Sequence, residues 1–384
     1  MRFIQQMIVF LIAAMFIAAC GQTPASQPTA APAADNTSAQ APLVTASQPT
    51  AAPAADDTSA QPLLVIASTS IVADIVRQVG GDRVQVQTIV PIGVDAHSFE
   101  PTPQDLVRVS EAQVIFTVGA GYEEFIDRLI ASSGTQAEVV DLSANLALRT
   151  LTEAEATNHA HDEEHADDHG TEEAGATSDT HADEHSDTHA DEHGDEHSDE
   201  HAHEHGAGSV DSHTWTDPAN VKVWTDLIYT TLSRLDPDHA ETYATRATEY
   251  KRQLDDLDRW IADQFATIPA ERRLIVSDHI IFGYMADKYG LRQLGAIIPG
   301  VSSSAAPSAQ ELAALQDMIA DYGVTAIFVG DVANQQIAEQ VARDTGVRII
   351  TVLTESLTDA NGPGATYLDY MRFNVQTIVD GLRS

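Results

Sequence analysis

Short apolar runs that alternate with helical patterns set the strongest limit on what this chain can fold into. The runs are rich in Val and Ile and have the length of buried strands. They lie at 63–70, 84–90, 114–121, 137–143, 272–277, 292–298, 325–330 and 347–352. Strands that alternate with short helices along a chain indicate a parallel α/β sheet, so the sequence predicts an α/β fold.

The interval between the two groups of strands carries a long helical pattern. Residues 238–266 contain no Pro or Gly and many charged residues, which predicts one helix longer than is typical of globular proteins. We therefore predict two (β/α) lobes with parallel sheets, joined by one long helix. The predicted boundaries are 62–237 for the N-terminal lobe, 238–267 for the linking helix and 268–384 for the C-terminal lobe.

The first 61 residues indicate export and a tether. Arg2 precedes an apolar stretch that is short for a membrane span, and Ile-Ala-Ala-Cys at 17–20 is typical of a bacterial lipobox. We predict a lipoprotein signal peptide over 1–20, with lipid attached to Cys20; an ordinary signal peptide with a chance cysteine is the alternative. Residues 21–61 are rich in Pro, Ala and Thr and contain a duplicated unit, which predicts a disordered tether.

The charge of the chain is strongly acidic and unevenly distributed. There are 20 Lys and Arg against 58 Asp and Glu, a formal net charge of −38. This balance argues against nucleic-acid binding, which needs a basic surface. Residues 151–211 contain no Lys or Arg and few large apolar residues. Such a segment cannot bury enough surface to fold, so we predict a disordered His-, Asp- and Glu-rich loop over 152–210.

Four of the 16 histidines lie outside this loop. His97 and His279 each follow a strand run, and His213 stands just before a helical pattern. Open α/β sheets bind ligands in loops at the carboxyl ends of their strands, so these three side chains are candidates for one cleft between the lobes. A single loop histidine is more often a surface residue, and His239, which fits the first turn of a helix, is left out of the site.

Four segments of the folded part carry a family signature: "PIGVDAHSFEPTPQD", "DSHTWTDPANV", "HIIFGYMADKYGL" and "GPGATYLDYMRFNV". They resemble the metal-binding solute-binding proteins of ABC transporters for zinc, manganese and iron. The resemblance implies two lobes bridged by a rigid helix, with the metal site in the cleft between them. It also implies metal ligands at the positions matching His97, His213 and His279. A carboxylate ligand is implied just before the C-terminal Gly-Pro, which matches Glu355, with Asp359 as the alternative.

Three imidazoles and one carboxylate indicate Zn²⁺ as the captured ion. Neutral imidazole suits Zn²⁺ well, whereas Mn²⁺ prefers more oxygen ligands; Mn²⁺ and Fe²⁺ remain alternatives. Asp95, Asp211 and Asp278 stand next to the candidate ligands in sequence. They are candidates to orient the imidazoles through hydrogen bonds.

The histidines of the acidic loop form a second metal-binding pattern. The interval 181–201 has a histidine at every fourth residue with acids between. The same repeat matches the His-x-x-Glu-His motif of zinc peptidases, but that motif needs a packed helix. A solvated acidic spacer is the other alternative, although a spacer does not require histidine. We predict weak accessory metal binding at His181, His185, His189, His193, His197, His201, His203 and His205.

The sequence thus predicts the solute-binding protein of a zinc ABC importer, with no enzyme activity. We expect it to be exported and lipid-anchored at the outer face of the bacterial cytoplasmic membrane, in a periplasm or on the cell surface. The predicted partners are a membrane permease with its ATPase, the zinc ion and the membrane, with no nucleic acid, and the chain is expected to be a monomer. Manganese or ferrous iron uptake, a zinc-dependent hydrolase and a surface adhesin are the alternatives.

Overall fold

The computed structural model describes residues 61–157, 208–333 and 335–384. The predicted signal peptide, Cys20, the tether and all the histidines assigned to accessory metal binding lie outside the described residues.

The described strands form two four-stranded parallel sheets. Their bounds are β1 (Leu63–Ala67), β2 (Val84–Thr88), β3 (Val114–Thr117), β4 (Glu138–Asp141), β5 (Leu274–Ser277), β6 (Arg292–Ala296), β7 (Ala326–Gly330) and β8 (Arg348–Val352). The first sheet has the order β2-β1-β3-β4 and the second the order β6-β5-β7-β8, with every pair parallel. The predicted α/β fold with two parallel sheets is confirmed, and each strand lies within its predicted run.

The helices cover these sheets. Their bounds are α1 (Ser70–Gly80), α2 (Pro103–Ser110), α3 (Ile126–Ser133), α4 (Glu153–Thr157), α5 (Pro218–Leu235), α6 (Ala240–Ala266), α7 (Gly283–Tyr289), α8 (Ala309–Asp321), α9 (Gln335–Thr345) and α10 (Tyr367–Arg383). Several begin at capping residues that satisfy the free N–H groups of a first turn. Asp217, for example, accepts a hydrogen bond from Ala219 N, and Pro218 occupies the first position of α5. None of the described helices is long and apolar enough to cross a membrane.

Helix α3 begins only at Ile126, well after the end of β3 at Thr117. Gly119, Ala120 and Gly121 all have positive φ angles, 80°, 53° and 80°, and the chain leaves β3 through this left-handed turn. The Glu123 carboxylate then accepts hydrogen bonds from Val118 N and Gly119 N. This local network competes with a helix at residues 122–125, and periodicity alone does not reveal it.

Both ends of the predicted disordered loop hold regular structure. The prediction began that loop at residue 152, but α4 occupies Glu153–Thr157. Thr150 and Val210 form an antiparallel bridge, and Leu151 N donates to Ser209 O. The described part of the loop is therefore a short paired stem, since backbone bonds join its two ends.

The long helix α6 has 27 residues and buries one face. The buried positions follow three- and four-residue spacings, as a helix packed on a core requires: Tyr243, Ala247, Tyr250, Leu254, Leu257, Ile261 and Phe265. On one side Arg246 donates to the carbonyl of Gln78 at the end of α1, and on the other Tyr289 of α7 donates to Asp258. One continuous core cluster contains residues of both sheets and of α6, so the helix packs against both halves of the fold.

Candidate metal centre

Four of the residues singled out in the sequence come together in the structure. His97, His213, His279 and Glu355 each offer one ligand atom, and these atoms all lie within 4.8 Å of one another. His97 follows β2 and His213 precedes α5, whereas His279 and Glu355 follow β5 and β8. The three strand-following positions are at carboxyl ends of parallel strands, where open α/β sheets bind ligands.

His97 is held by a turn in the loop between β2 and α2. Asp95 Oδ1 accepts a hydrogen bond from His97 N at 2.8 Å, which is a typical local turn of an aspartate. The other carboxylate oxygen of Asp95 accepts a hydrogen bond from Ser303, in the loop after β6. Asp95 therefore fixes the backbone at His97 and joins the loops of the two halves.

His213 is fully buried and its ring is oriented by Asp211. Asp211 Oδ1 lies 3.0 Å from His213 Nδ1 and also accepts from His213 N at 3.0 Å. The ring packs against Trp215 with centroids 5.2 Å apart. A carboxylate at Nδ1 places the ring proton there and leaves the Nε2 lone pair for an ion.

His279 and Glu355 enter the centre from the second sheet. Asp278 Oδ2 lies 2.9 Å from His279 Nδ1, so this imidazole has the same kind of carboxylate partner as His213. Glu355 Oε2 accepts a hydrogen bond from Ala96 N, in the loop that carries His97. Glu355 thus connects the second sheet to the loop of the first.

The inner atoms of the cluster are buried and poorly partnered. His279 Nε2 lies 3.2 Å from His213 Nε2 and 3.3 Å from Glu355 Oε1. His97 Nε2 lies 3.6 Å from the same Glu355 oxygen. His97 Nε2 and Glu355 Oε1 have no partner with hydrogen-bond geometry. Buried polar atoms without partners are rare in native proteins, and these two lie 3.6 Å from one another.

Burial and nearby carboxylates act differently on the three imidazoles. Burial lowers the pKa of His97 to about 4, against the opposing effect of Glu355. Burial also lowers the pKa of His213. Burial acts in the same direction on His279, but Asp278 and Glu355 together outweigh it and raise the pKa of His279 to about 10. Burial raises the pKa of Glu355.

This donor set fits a divalent cation. Three imidazole nitrogens and one carboxylate oxygen match the four-ligand sites that zinc forms in proteins. A cation bound between the four side chains would give His97 Nε2 and Glu355 Oε1 a partner. Its positive charge would also offset the repulsion among the lone pairs of the buried ligand atoms. With two imidazoles supported by carboxylates, the outer contacts are those that metal-binding histidines usually make.

The structure also separates the alternatives that the sequence left open. Asp359 lies in an exposed turn, where it accepts from Asn361 N, and is not in the cluster. His239 pairs with Asp236 at the start of α6. Sequence reasoning missed Tyr122, whose ring lies 5.0 Å from that of His97 and whose buried hydroxyl has no hydrogen-bond partner. Its place in the loop after β3 is the signal that could have revealed it.

Comparison with known proteins identifies the family. The sequence profile of the family described as "Zinc-uptake complex component A periplasmic" matches residues 65–381. The chain belongs to this family. It is a metal-binding, substrate-binding protein of an ABC transporter, and the predicted recognition is confirmed. The family comprises extracytoplasmic solute-binding proteins and not enzymes, so the predicted location outside the cytoplasm is confirmed and the hydrolase alternative is wrong.

Curated relatives are similar over most of the chain. The manganese-binding lipoprotein MntA of Halalkalibacterium halodurans is 29% identical over 314 residues, which cover 82% of this chain and 86% of that protein. The iron-binding protein YfeA of Yersinia pestis is 24% identical over 313 residues, covering 81% of this chain and 84% of that protein. A permease and an ATPase are the partners that such a transporter component requires.

Solved structures share the fold. The periplasmic zinc-binding protein TroA of Treponema pallidum superposes with a TM-score of 0.63 at 22% identity, covering 84% of this chain and 99% of that one. A manganese-bound periplasmic metal-binding protein of Candidatus Liberibacter asiaticus superposes with a TM-score of 0.62 at 20% identity, covering 83% and 99%. These likenesses support the two-sheet architecture.

Proposed function

We propose that this chain captures one zinc ion at His97, His213, His279 and Glu355 and delivers it to the membrane permease of its transporter. The observation that carries the proposal is the convergence of three imidazoles and one carboxylate within 4.8 Å, with two buried atoms left without partners. The transported ion is the substrate of the protein, and no chemical step is performed on it.

The choice of zinc over manganese rests on the donor set. Three nitrogen donors and one oxygen suit zinc, whereas manganese favours oxygen-rich sites. Manganese is the second candidate because the names of several relatives, including MntA and the streptococcal PsaA proteins, state manganese. We therefore assign zinc as the transported ion because of the ligand set of this chain. Surface adhesion is not proposed, since nothing in the described part of the chain favours it.

The N-terminal segment completes the proposal. We propose that lipid on Cys20 anchors the protein at the outer face of the cytoplasmic membrane and that residues 21–61 tether a monomeric binding unit to it. The motif of residues 17–20 supports the anchor, and so does the fact that relatives such as MntA are lipoproteins. Mass spectrometry of protein extracted from membranes should detect the lipid on Cys20. Cys20→Ala should move the protein from the membrane fraction to the soluble fraction.

We also propose that the histidine-rich run collects zinc weakly for the tight centre. Fixing an unfolded chain around one ion opposes binding by roughly 1–2 kcal/mol per ordered residue, whereas a preformed centre avoids most of that. Deleting residues 159–205 should lower the number of weakly held ions and keep the tight one. Calorimetric titration of the deletion variant decides this, because loss of the tight phase would reverse the assignment of the two sites.

Competition with chelators tests the metal and its ligands together. The purified protein should retain one zinc ion tightly and should bind manganese more weakly. His213→Ala should abolish the tight phase, while His239→Ala, a histidine outside the cluster, should leave it unchanged. Equal or tighter retention of manganese would contradict the zinc assignment, and an unchanged tight phase in His213→Ala would contradict the site.

A further inference from the structure

Arg149 is a buried cation that contacts three carboxylates. Its Nη1 donates to Asp211 Oδ2 at 2.9 Å, its Nη2 to Glu155 Oε1 at 2.6 Å, and its Nε to Asp287 Oδ2 at 3.0 Å. The side chain is 11% exposed. Glu155 belongs to α4 in the stem of the histidine-rich loop, and Asp287 belongs to α7 of the second half. One guanidinium therefore joins three elements.

Asp211 connects this cation to the metal centre. Its Oδ2 accepts from Arg149, while its Oδ1 faces His213 Nδ1 at 3.0 Å. The Asp211 side chain is 0% exposed, and a buried carboxylate needs a charge partner and hydrogen bonds to offset its desolvation. Arg149 supplies that partner on the side away from the imidazole.

The backbone around this pair is fixed as well. Asp211 N donates to Arg149 O, Arg149 N donates to the hydroxyl of Tyr284, and that hydroxyl donates to Asp211 O. The Asp211 carboxylate is thus held by the Arg149 side chain, and the Asp211 backbone is held by hydrogen bonds with Arg149 and the Tyr284 hydroxyl. This arrangement is the kind that orients a ligand imidazole through its second nitrogen.

The first residue of α7 leaves room for the ion pair. A Cβ atom on Gly283 would lie 2.1 Å from Arg149 Nη1 and 2.4 Å from Asp211 Oδ2. Both distances are far shorter than atoms can approach. Any side chain at Gly283 must displace the contact between Arg149 and Asp211, so the glycine is required by the pair and not by the backbone of the helix.

We propose that Arg149 is a positioning residue for metal capture. It holds the Asp211 carboxylate so that His213 keeps its Nδ1 proton and directs Nε2 at the ion. The inference rests on the proposed function of the four-ligand centre and extends it to a residue 62 positions before Asp211 in the chain. Lysine cannot replace all of it, because an ammonium group lacks the planar fork that reaches three carboxylates.

The test measures zinc affinity of the full chain by chelator competition in Arg149→Met, Asp211→Asn and the double variant. Loss of an outer partner of a ligand typically lowers metal affinity 10–100-fold, so Arg149→Met should bind zinc about tenfold more weakly. Because Arg149 acts through Asp211, the double variant should bind no more weakly than Asp211→Asn alone. Arg149→Lys should recover part of the loss, since it keeps a positive charge beside Asp211.

The matched control is Arg246→Met, which removes an arginine that joins α6 to α1 away from the centre. It should lower the unfolding temperature without changing zinc affinity. Gly283→Ala supplies a second route if Arg149→Met does not fold, because it displaces the pair while keeping both charges; it should also weaken zinc binding. Absorption spectra of the cobalt-loaded variants should change for Arg149→Met and not for Arg246→Met.

Two results would overturn the inference while leaving the centre itself intact. One is unchanged zinc affinity in Arg149→Met when His213→Ala has lost it. The other is a fully additive double variant, which would mean that Arg149 stabilises the fold independently of Asp211. If the unmodified chain binds no zinc at all, both the proposed function and this inference are wrong, and that outcome is distinct from the first two.

Discussion

His97 in the first half of the molecule and His279 in the second are the same residue type in nearly the same setting. Their side chains are 3% and 1% exposed, and their Nε2 atoms lie 3.6 Å and 3.3 Å from Glu355 Oε1. Yet the pKa of His97 is lowered to about 4, and that of His279 is raised to about 10. Equal burial therefore does not decide the charge of a buried imidazole.

For these two rings, much of the difference in pKa comes from what the neighbouring aspartate contacts. Asp278 faces the imidazole of His279, and its charge favours the protonated ring. Asp95 instead accepts from the backbone of His97 and from Ser303, so it offsets less of the burial of the His97 ring. In the metal-free centre these pKa shifts favour a protonated His279 and a neutral His97. An incoming ion must therefore displace a proton from His279.

Removing a ligand from either half is the largest change we expect. His97→Ala and His279→Ala should each weaken zinc binding more than about 100-fold, since loss of an outer partner alone typically lowers affinity 10–100-fold. Chelator competition at neutral pH measures this. If either variant still bound zinc tightly, the histidine replaced in that variant would not be a ligand.

The pH dependence of affinity follows from the raised pKa of His279. Well below pH 10 this ring is protonated, so zinc affinity should fall about tenfold for each unit that the pH drops from 7.5 to 5.5. The pKa of His97, lowered to about 4, keeps that ring neutral over this range, and the lowered pKa of His213 reduces its contribution to the slope. Three unperturbed histidines would instead give a fall that begins near pH 6.5 and is steeper below it.

Calorimetry in buffers of different ionisation enthalpy checks the same point directly. At pH 8 one proton should be released for each zinc ion bound. Release of no proton would mean that the His279 ring is neutral before the ion arrives, and the contrast between the two halves would be wrong.

Replacing Asp278 and Asp211 by asparagine should distinguish the effect of the carboxylate charge on proton binding from its effect on the orientation of the imidazole ring. Asp278→Asn and Asp211→Asn should each weaken zinc binding by about tenfold, because each ring loses its carboxylate partner. Only Asp278→Asn should also reduce proton release, since Asp278 makes the largest contribution to the raised pKa of His279. Equal proton counts in the two variants would show that Glu355 alone holds the proton.

The contact between Ser303 and Asp95 should give the smallest effect. Ser303→Ala removes a hydrogen bond that joins the loops of the two halves at the edge of the centre. A single hydrogen bond contributes about 1 kcal/mol, which corresponds to a roughly fivefold faster release of zinc in stopped-flow measurements. Ser304→Ala is the control, because Ser304 contacts Ser302 of its own loop. Equal rates of zinc release in the two variants would show that the hydrogen bond between Ser303 and Asp95 does not slow release.

Sequence patterns anticipated the parts of this protein that depend on local physics. The eight strands follow from short apolar runs, and the long helix near 238–266 follows from the absence of Pro and Gly. The aspartates beside His213 and His279 could be identified as orienting groups because residues one or two apart stay close in any fold. The family signature supplied Glu355, which the composition of the C-terminal loop does not distinguish from Asp359.

Only the tertiary structure decided how distant residues act on one another. Arg149 reaches Asp211 because the stem of the acidic loop pairs Thr150 with Val210, a contact with no periodic signal in the sequence. The opposite pKa shifts of His97 and His279 likewise depend on burial and on which atoms the carboxylates face. Local patterns determine which elements form, since those energies depend on near neighbours. Desolvation and charge pairing depend on distance in space, and the sequence does not contain those distances.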